Sequence, residues 1–304
     1  MTEVPEKRIT KAPATLMLGP PGSGKTTSIV TYLAAGLEVF VLITDPGGEE
    51  ALIDAAIQHN LPLEKLHWHY IPSGAVDWSV AKQVMQSINT QSYESLGKMK
   101  NGINKHSFTQ MLDVMDALAD FPCDRTGEKY GPVDSWGADR VIVIDSMTGI
   151  NKMSKRLTVG GKPNLHQGEW GVAMEAEELF LDILISNTRC CVCCIAHIEK
   201  ELDEVQGRTV LMASFLGKKL APKIPGMFSD VVLAVKDGAT FRWSTTFANV
   251  DLKARTLPLS DSITPSFVQV VEGWRKREAA ITEKLKAPVE KGADTQPTQP
   301  PVNT

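Results

Sequence analysis

A short glycine-rich stretch carries the most specific chemical signal in this chain of 304 residues. It follows the pattern G-x-x-x-x-G-K-T and consists of Gly19, Pro20, Pro21, Gly22, Ser23, Gly24, Lys25 and Thr26. Glycines let the backbone curl so that several N–H groups point at one anion, and the start of a following helix adds partial positive charge. The pattern predicts a phosphate-binding loop in which Lys25 reaches the β- and γ-phosphates of a nucleotide. The Thr26 hydroxyl would bind Mg²⁺, and Thr27 would contact the α-phosphate.

The residues on either side of this loop predict the elements that position it. Thr15 to Leu18 form a short apolar run that suits a buried strand, whereas residues 26–33 have helical apolar spacing and stop before Gly36. A strand, a glycine loop and a helix in succession are the context that a phosphate-binding loop requires. The competing interpretation, a turn rich in Gly and Pro that precedes Lys-Thr by chance, does not explain this context.

A buried acid is predicted at the end of another strand. Residues 140–146 read Arg-Val-Ile-Val-Ile-Asp-Ser, a β-branched run typical of a central parallel strand. Asp145 ends this run on the side where the phosphates must lie, so we expect it to hold Mg²⁺ through water or through Thr26. The alternative is a solvated carboxylate at the start of a loop. The loop and the acid together indicate ATP and Mg²⁺ as cofactors.

The residue after this acid is Ser146, whereas a motor ATPase of the AAA+ kind would carry a glutamate there to activate water. A water-activating carboxylate must then come from the end of the neighbouring second strand. Asp45, Glu49 and Glu50 follow that strand, and we expect Asp45 first, Glu49 second and Glu50 third as the general base. Each of these acids could instead complement the N-terminal dipole of the next helix.

A histidine ends the next apolar run. Residues 190–196 form this run, and His197 follows it, where a polar side chain could sense the γ-phosphate. A hydrogen-bonding group without a sensor role is the alternative. The run contains four of the five cysteines, and no second Cys/His pair stands at zinc-finger spacing. Buried thiols that act as small hydrophobes are therefore expected, with zinc or redox chemistry as the alternative.

The charge and hydropathy of the chain bear on whether it binds nucleic acids or membranes. Lys and Arg number 32 against 36 Asp and Glu, so any contact with nucleic acid must come from local basic patches. No stretch approaches the roughly 18 apolar residues of a membrane span, and the N-terminus lacks the apolar core of a signal peptide. We therefore expect no membrane partner and a cytoplasmic location.

The order of elements predicts an α/β fold with a mainly parallel central sheet flanked by helices. An Asp-Gly turn at 237–238 adds an antiparallel extension near the C-terminus. We expect an N-terminal extension over 1–12 and an ATPase domain over 13–275, which includes an insertion over 62–137. Residues 276–286 would end a C-terminal helix. The tail over 287–304 is rich in Pro, Gln and Thr and is predicted to be disordered.

The P-loop, the Val-Ile-Val-Ile-Asp-Ser strand, an acid after the second strand and a polar residue ending the next strand resemble the RecA/RadA recombinase core. More narrowly, the chain is similar to phage AAA-type nucleotide-binding proteins that include the Sak-type single-strand annealing ATPases. The resemblance covers about residues 13 to 275 and implies a RecA-like P-loop NTPase fold. It also implies a bacteriophage origin, and hence the cytoplasm of the host cell. The family acid is normally a glutamate, whereas Asp45 is shorter.

The resemblance also implies partners. In such cores two loops bind single-stranded DNA, and the corresponding segments here are 147–167 and 198–223. Their basic residues are the implied DNA contacts, namely Lys155, Arg156, Lys162, Arg208, Lys218 and Lys219. Solvated surface loops are the alternative interpretation. A homo-oligomer, either a ring or a filament, is the second implied partner.

Three functions remain open from the sequence. The first is an Mg-dependent ATPase of DNA recombination that promotes single-strand annealing or recombination on single-stranded DNA. The second is a small-molecule phosphotransferase. The third is a nucleotide-switched binding protein with little hydrolysis, in which Asp45 is structural.

Overall fold

The computed structural model describes residues 10–74, 76–100, 102–203, 208–214, 220 and 222–286. The strands are β1 (Ala14–Leu18), β2 (Glu38–Ile43), β3 (Leu66–Tyr70), β4 (Arg140–Asp145), β5 (Cys191–Ala196), β6 (Ile198–Asp203), β7 (Arg208–Ala213), β8 (Asp230–Asp237) and β9 (Thr240–Ser244). The helices are α1 (Lys25–Ile29), α2 (Thr31–Ala34), α3 (Gly48–Gln58), α4 (Trp78–Asn89), α5 (Tyr93–Lys98), α6 (Gln110–Ala119), α7 (Met147–Val159), α8 (Gln167–Asn187), α9 (Ile224–Met227) and α10 (Val268–Lys286). The predicted tail over 287–304 and the first nine residues of the N-terminal extension lie outside this range.

Seven strands form one sheet in the order β3-β2-β4-β5-β1-β8-β9. Neighbouring strands from β3 to β8 are parallel, and β9 pairs with β8 in the antiparallel direction. All residues of β1 and β5 are buried, as expected for apolar runs in a parallel sheet that is covered on both faces. The mixed α/β fold with a mainly parallel sheet and an antiparallel extension is therefore confirmed.

The strand residues alternate between two hydrophobic cores, one on each face of the sheet. On β4, Ile142 and Ile144 belong to one core, whereas Val141 and Val143 belong to the other. This alternation follows from the period of two residues in a β-strand. Helices α6, α7 and α8 cover the first core, and α1, α2, α3 and α10 cover the second. The sheet is thus held between two helical layers.

Four parallel strands bring the predicted functional residues to one edge of the sheet. Strands β1, β2, β4 and β5 all end at this edge, because parallel strands share their direction. The register pairs Ile43 with Asp145, Asp145 with Ile195, and Leu18 with Ala196. Asp145 ends β4 at this edge, and the P-loop, Asp45 and His197 begin within two residues of the ends of β1, β2 and β5. Strand β5 lies between the P-loop strand and the strand that carries the buried acid.

Both segments that were predicted as long DNA-binding loops contain regular structure. Most of 147–167 forms helix α7, whose buried Met147, Ile150 and Met153 recur every three residues and pack in the first core. Much of 198–223 forms the antiparallel pair β6–β7. The prediction of loops was wrong here, because apolar residues at helical spacing favour α7 and backbone pairing with β7 makes β6 a strand. The segment over 248–255 has an isolated bridge between Lys253 and Val231.

The predicted insertion over 62–137 contributes to the main sheet as well as lying outside it. Strand β3 forms an edge of the sheet beside β2. Helices α4, α5 and α6 follow β3. Within the described part of the chain, no helix is both long and apolar enough to cross a membrane.

Candidate nucleotide-binding site

The predicted phosphate-binding loop connects β1 to α1. Gly22 has a φ angle of +73° and Gly24 one of +80°, which are left-handed conformations that other L-residues rarely adopt. The Ser23 hydroxyl donates a hydrogen bond of 2.8 Å to the carbonyl oxygen of Pro20, which closes the loop on itself. Lys25 then begins α1, so the loop ends at a helix N-terminus. This is the arrangement that offers backbone N–H groups to an anion.

The ammonium group of Lys25 lies inside the curve of the loop. Its Nζ donates hydrogen bonds to the carbonyl oxygens of Gly19 at 2.9 Å and Pro20 at 2.8 Å. Burial disfavours the charged form and lowers the pKa of Lys25 to about 8, against the opposing attraction of Asp145 and Asp45. A phosphate group in the loop would favour the charged form, because its negative charge compensates for the solvation that burial removes.

Thr26 and Asp145 meet across the site. The Thr26 hydroxyl donates a hydrogen bond of 2.7 Å to Oδ2 of Asp145, although the two residues are 119 positions apart in the chain. Asp145 is buried at the end of β4, and this burial raises its pKa to about 6. The structure thus brings together the two residues that were predicted to hold a metal ion.

The residues present fit a magnesium ion. Thr26 and Asp145 supply hard oxygen donors, which Mg²⁺ prefers, and the ionised form of the buried carboxylate needs a nearby cation. Among the described residues, no group of three or more His, Cys, Asp or Glu side chains could hold a metal by itself. A site with few protein ligands suits Mg²⁺, which usually keeps several waters and binds substrate phosphates.

Asp45 is held at the mouth of the site by Ser146. The Ser146 hydroxyl donates a hydrogen bond of 2.8 Å to Oδ2 of Asp45. The peptide bond between Asp145 and Ser146 is cis. Buried Thr44 fixes this segment, because its hydroxyl oxygen accepts from the backbone N–H of Ser146 at 2.8 Å and donates to the Ser146 carbonyl at 3.0 Å. Sequence reasoning did not assign roles to Thr44 and Ser146, although a serine in place of the expected glutamate was a signal.

His197 completes this cluster. Its Nε2 lies 3.9 Å from Oδ2 of Asp45, and its backbone N–H contacts the hydroxyl of Thr148 at 3.4 Å. The contact with His197, followed by the Ser146 hydroxyl, holds the pKa of Asp45 below its ordinary value despite partial burial. Asp45 is therefore ionised at neutral pH. A carboxylate with a lowered pKa is a weak proton acceptor, so its position suits it better to orient a water molecule than to deprotonate one.

A cleft of about 280 Å³ lies between these groups. Its walls include Lys25, Thr26, Thr27 and the two acids Asp45 and Asp145, together with His197. Glu49 and Glu50 do not border the cleft, although both lie in the first turn of α3. Of the three acids considered as general base, Asp45 is therefore the one that borders the cleft.

The structure describes the side chains of three of the six residues that the resemblance implies as DNA contacts. Lys162 is buried, and its Nζ donates to both Glu169 carboxylate oxygens at 2.8 Å, so it is not available to a phosphate backbone. Arg156 donates to the carbonyl oxygen of Gly74 at 2.9 Å. Lys155 lies on α7 with its Nζ 5.8 Å from the centre of the Trp170 ring.

The other three residues implied as DNA contacts are Arg208, at the start of β7, and Lys218 and Lys219, which follow β7 in the sequence. Arg208 begins β7, and its side chain lies outside the described part of the structure. Lys218 and Lys219 also fall outside the described residues. These three contacts therefore stay predictions from the resemblance.

The four cysteines of the β5 region are buried, without a disulfide. Burial raises the pKa of Cys190 to about 12, and it also raises the pKa values of Cys193 and Cys194. These three thiols are therefore protonated at neutral pH, and all four cysteines are placed as small hydrophobic side chains in the core.

The parallel sheet, the glycine loop that opens α1 and the contact between Thr26 and Asp145 are consistent with a P-loop NTPase fold. No protein-family model and no curated protein matches the chain. Among solved structures, an ATPase from the type III secretion system of pathogenic bacteria is similar over 74% of this chain and 53% of its own, with 9% identity and a TM-score of 0.36. The ATP synthase subunit NeqB from Nanoarcheaum equitans is similar over 90% of this chain and 55% of its own, with 9% identity and a TM-score of 0.37. The chain thus spans about half the length of either structure.

Proposed function

We propose that this chain binds ATP with Mg²⁺ in the cleft and hydrolyses it to ADP and phosphate. The observation that carries the proposal is the 2.7 Å contact between Thr26 and Asp145, formed next to a lysine that lies inside a glycine loop. The loop supplies N–H donors and Lys25 supplies a cation, while Thr26 and Asp145 hold the metal. These are the groups that phosphoryl transfer requires, because its catalysis consists mainly of positioning and charge stabilisation.

In the proposed reaction, Asp45 accepts a hydrogen bond from the attacking water and aligns it with the γ-phosphorus. The water oxygen forms a bond to the γ-phosphorus as the bond from this phosphorus to the bridging oxygen breaks. ADP leaves with the electron pair of the broken bond, and one proton of the water passes to the released phosphate or to Asp45. When bound, Mg²⁺ neutralises charge on the phosphate oxygens. Lys25 stabilises the same charge from the loop side. Ser146 and His197 keep the Asp45 carboxylate ionised and fixed in position.

We further propose that hydrolysis serves DNA recombination or single-strand annealing, with the chain acting as a homo-oligomer on single-stranded DNA. The order of motifs that resembles the recombinase core supports this part. The position of α7 and of the β6–β7 pair also supports it, because both follow strands that end at the edge of the sheet next to the cleft. His197 directly precedes β6, so a change at the γ-phosphate has a short route to this pair.

The test is ATP hydrolysis with and without single-stranded DNA. We expect turnover to rise about tenfold or more when a single-stranded oligonucleotide is added, and to respond less to duplex DNA of the same sequence. Phosphate release and phosphoryl transfer to added metabolites would be measured in parallel. DNA-independent transfer to a metabolite would instead support the phosphotransferase.

One observation favours the nucleotide-switched binding protein as second candidate. The pKa of Asp45 is lowered by His197 and Ser146, which makes this carboxylate a weak base. Tight ATP binding with negligible turnover, both with and without DNA, would support this candidate over the ATPase.

Asp45→Asn tests the assignment of the water-orienting acid. We expect its kcat to fall by about 100-fold, because the amide carries no negative charge and replaces one accepting oxygen with an NH₂ group that only donates, while the affinity for ATP stays near that of the wild type. Steady-state hydrolysis and equilibrium binding would separate these two effects. Glu50→Gln is the matched control, since Glu50 is exposed and does not border the cleft. A comparable loss in Glu49→Gln with normal turnover in Asp45→Asn would reverse the order of the acids.

A further inference from the structure

An exposed aromatic ring lies against the P-loop. Phe241 on β9 is 42% exposed. A Cβ atom built on Gly24 would lie 3.1 Å from Cδ1 of the Phe241 ring, 3.5 Å from Cε1 and 3.7 Å from Cγ. One side of the ring therefore packs on the last glycine of the loop, and the remainder is open to solvent. Lys236, which pairs with Phe241 across the β8–β9 hairpin, places its Nζ 5.5 Å from the centre of the ring.

The strand order determines which end of a nucleotide would approach this ring. Asp145, Asp45 and His197 follow β4, β2 and β5, which lie on one side of β1. Strands β8 and β9 lie on the other side. The reacting end of a triphosphate must face the acids, so the nucleoside end must leave the loop toward β8 and β9. Because neighbouring strands are about 4.8 Å apart, β9 is about 10 Å from β1, which a nucleoside attached to phosphates in the loop can span.

From this placement we propose that Phe241 is the stacking surface for the nucleobase of the bound nucleotide. An aromatic face binds a base through stacking, and a larger purine covers more of the ring than a pyrimidine does. The Lys236 ammonium, near the ring, adds positive charge there but makes no directional hydrogen bond that would distinguish one base from another. The site therefore selects purine nucleotides over pyrimidine nucleotides. This inference rests on the proposed binding of ATP in the P-loop.

Exposure alone would not single out this residue, because isolated apolar side chains are common on protein surfaces. Phe247 is similar in this respect, with 38% of its surface exposed. What distinguishes Phe241 is its contact with Gly24, whose neighbour Lys25 begins the phosphate-binding helix. The ring thus lies next to the loop on the side opposite to the acids.

The test compares two ligands that share the phosphates and differ in the base. Equilibrium binding of ATP and of inorganic tripolyphosphate, each with Mg²⁺, would be measured for the wild type, Phe241→Leu, Phe241→Trp and Phe247→Leu. Leucine keeps an apolar contact with Gly24 but has no aromatic face, whereas tryptophan keeps both. We expect Phe241→Leu to raise the Kd for ATP about tenfold or more and to leave that for tripolyphosphate nearly unchanged. Phe241→Trp and Phe247→Leu should bind ATP like the wild type.

Two results would overturn the inference. Unchanged ATP affinity in Phe241→Leu would show that the ring does not contact the base. An equal loss for ATP and tripolyphosphate would show that the ring only supports the loop. If the wild type binds neither ligand, the proposed nucleotide-binding function itself fails, which is a different result from either of these.

Discussion

Replacing Lys25 with alanine is expected to weaken the binding of ATP with Mg²⁺ by about 100-fold or more and to abolish turnover. Among the described residues, Lys25 is the one lysine or arginine that borders the cleft, and its Nζ lies within the curve of the loop. Its removal would leave the β- and γ-phosphates without a cation in a partly buried site, where charge interactions are strong. Equilibrium binding and phosphate release would measure the two effects.

The folded state should tolerate this change. Burial lowers the pKa of Lys25 to about 8, which shows that its ammonium is held at a free-energy cost in the protein without nucleotide. A normal circular dichroism spectrum for Lys25→Ala would therefore be expected beside the loss of binding. Lys98→Ala is the control, because Lys98 is exposed and pairs with Glu94 on α5, which does not border the cleft. Full ATPase activity in Lys25→Ala would contradict both the proposed function and the site.

The sheet and the P-loop could be predicted because their signals are local. The run that ends in Asp145 has the composition of a buried parallel strand, and the glycines of the loop are required by backbone conformations within a few residues. Even the long-range contact between Thr26 and Asp145 could be expected, because binding a phosphate and its metal requires both groups at one point.

The parts that the sequence did not predict depend on contacts between distant segments. Ser146 holds Asp45 across 101 positions of the chain, and no local spacing indicates this hydrogen bond. Alternation along β9 places Phe241 on the same face as buried Trp243, but only the sheet order places its ring beside Gly24. Helix α7 is a different case, because the apolar spacing of Met147, Ile150 and Met153 is a local signal that predicts a helix.

Asp145→Asn is expected to reduce Mg-dependent hydrolysis by about 1,000-fold. The asparagine side chain can still accept the hydrogen bond from Thr26, but it lacks the charge that attracts the metal ion. ATP binding should therefore lose its dependence on Mg²⁺ concentration while part of the affinity from the P-loop persists. Hydrolysis and ATP binding measured across a magnesium titration would test this. Wild-type dependence on Mg²⁺ in the variant would contradict the assignment of Asp145 as the acid that holds the metal.

The same substitution should stabilise the protein in the absence of nucleotide. Burial raises the pKa of Asp145 from 3.8 to about 6, so the folded state binds a proton more tightly than the unfolded state does. Stability from this group is therefore greatest below about pH 4 and is lost as the pH rises through about 6, which corresponds to at most about 3 kcal/mol. Asparagine carries no charge at any pH, so Asp145→Asn should raise the thermal midpoint at about pH 8 and change it little at about pH 4.

The control for this effect is Asp139→Asn. Asp139 is exposed and lies just before the other end of β4, so its replacement should leave the unfolding midpoint unchanged at both pH values. A lower midpoint for Asp145→Asn than for the wild type at about pH 8 would show that the ionised carboxylate stabilises the fold without any metal. The expected result has the opposite sign, because a buried acid that is retained at a cost to stability is explained by the cation that it binds.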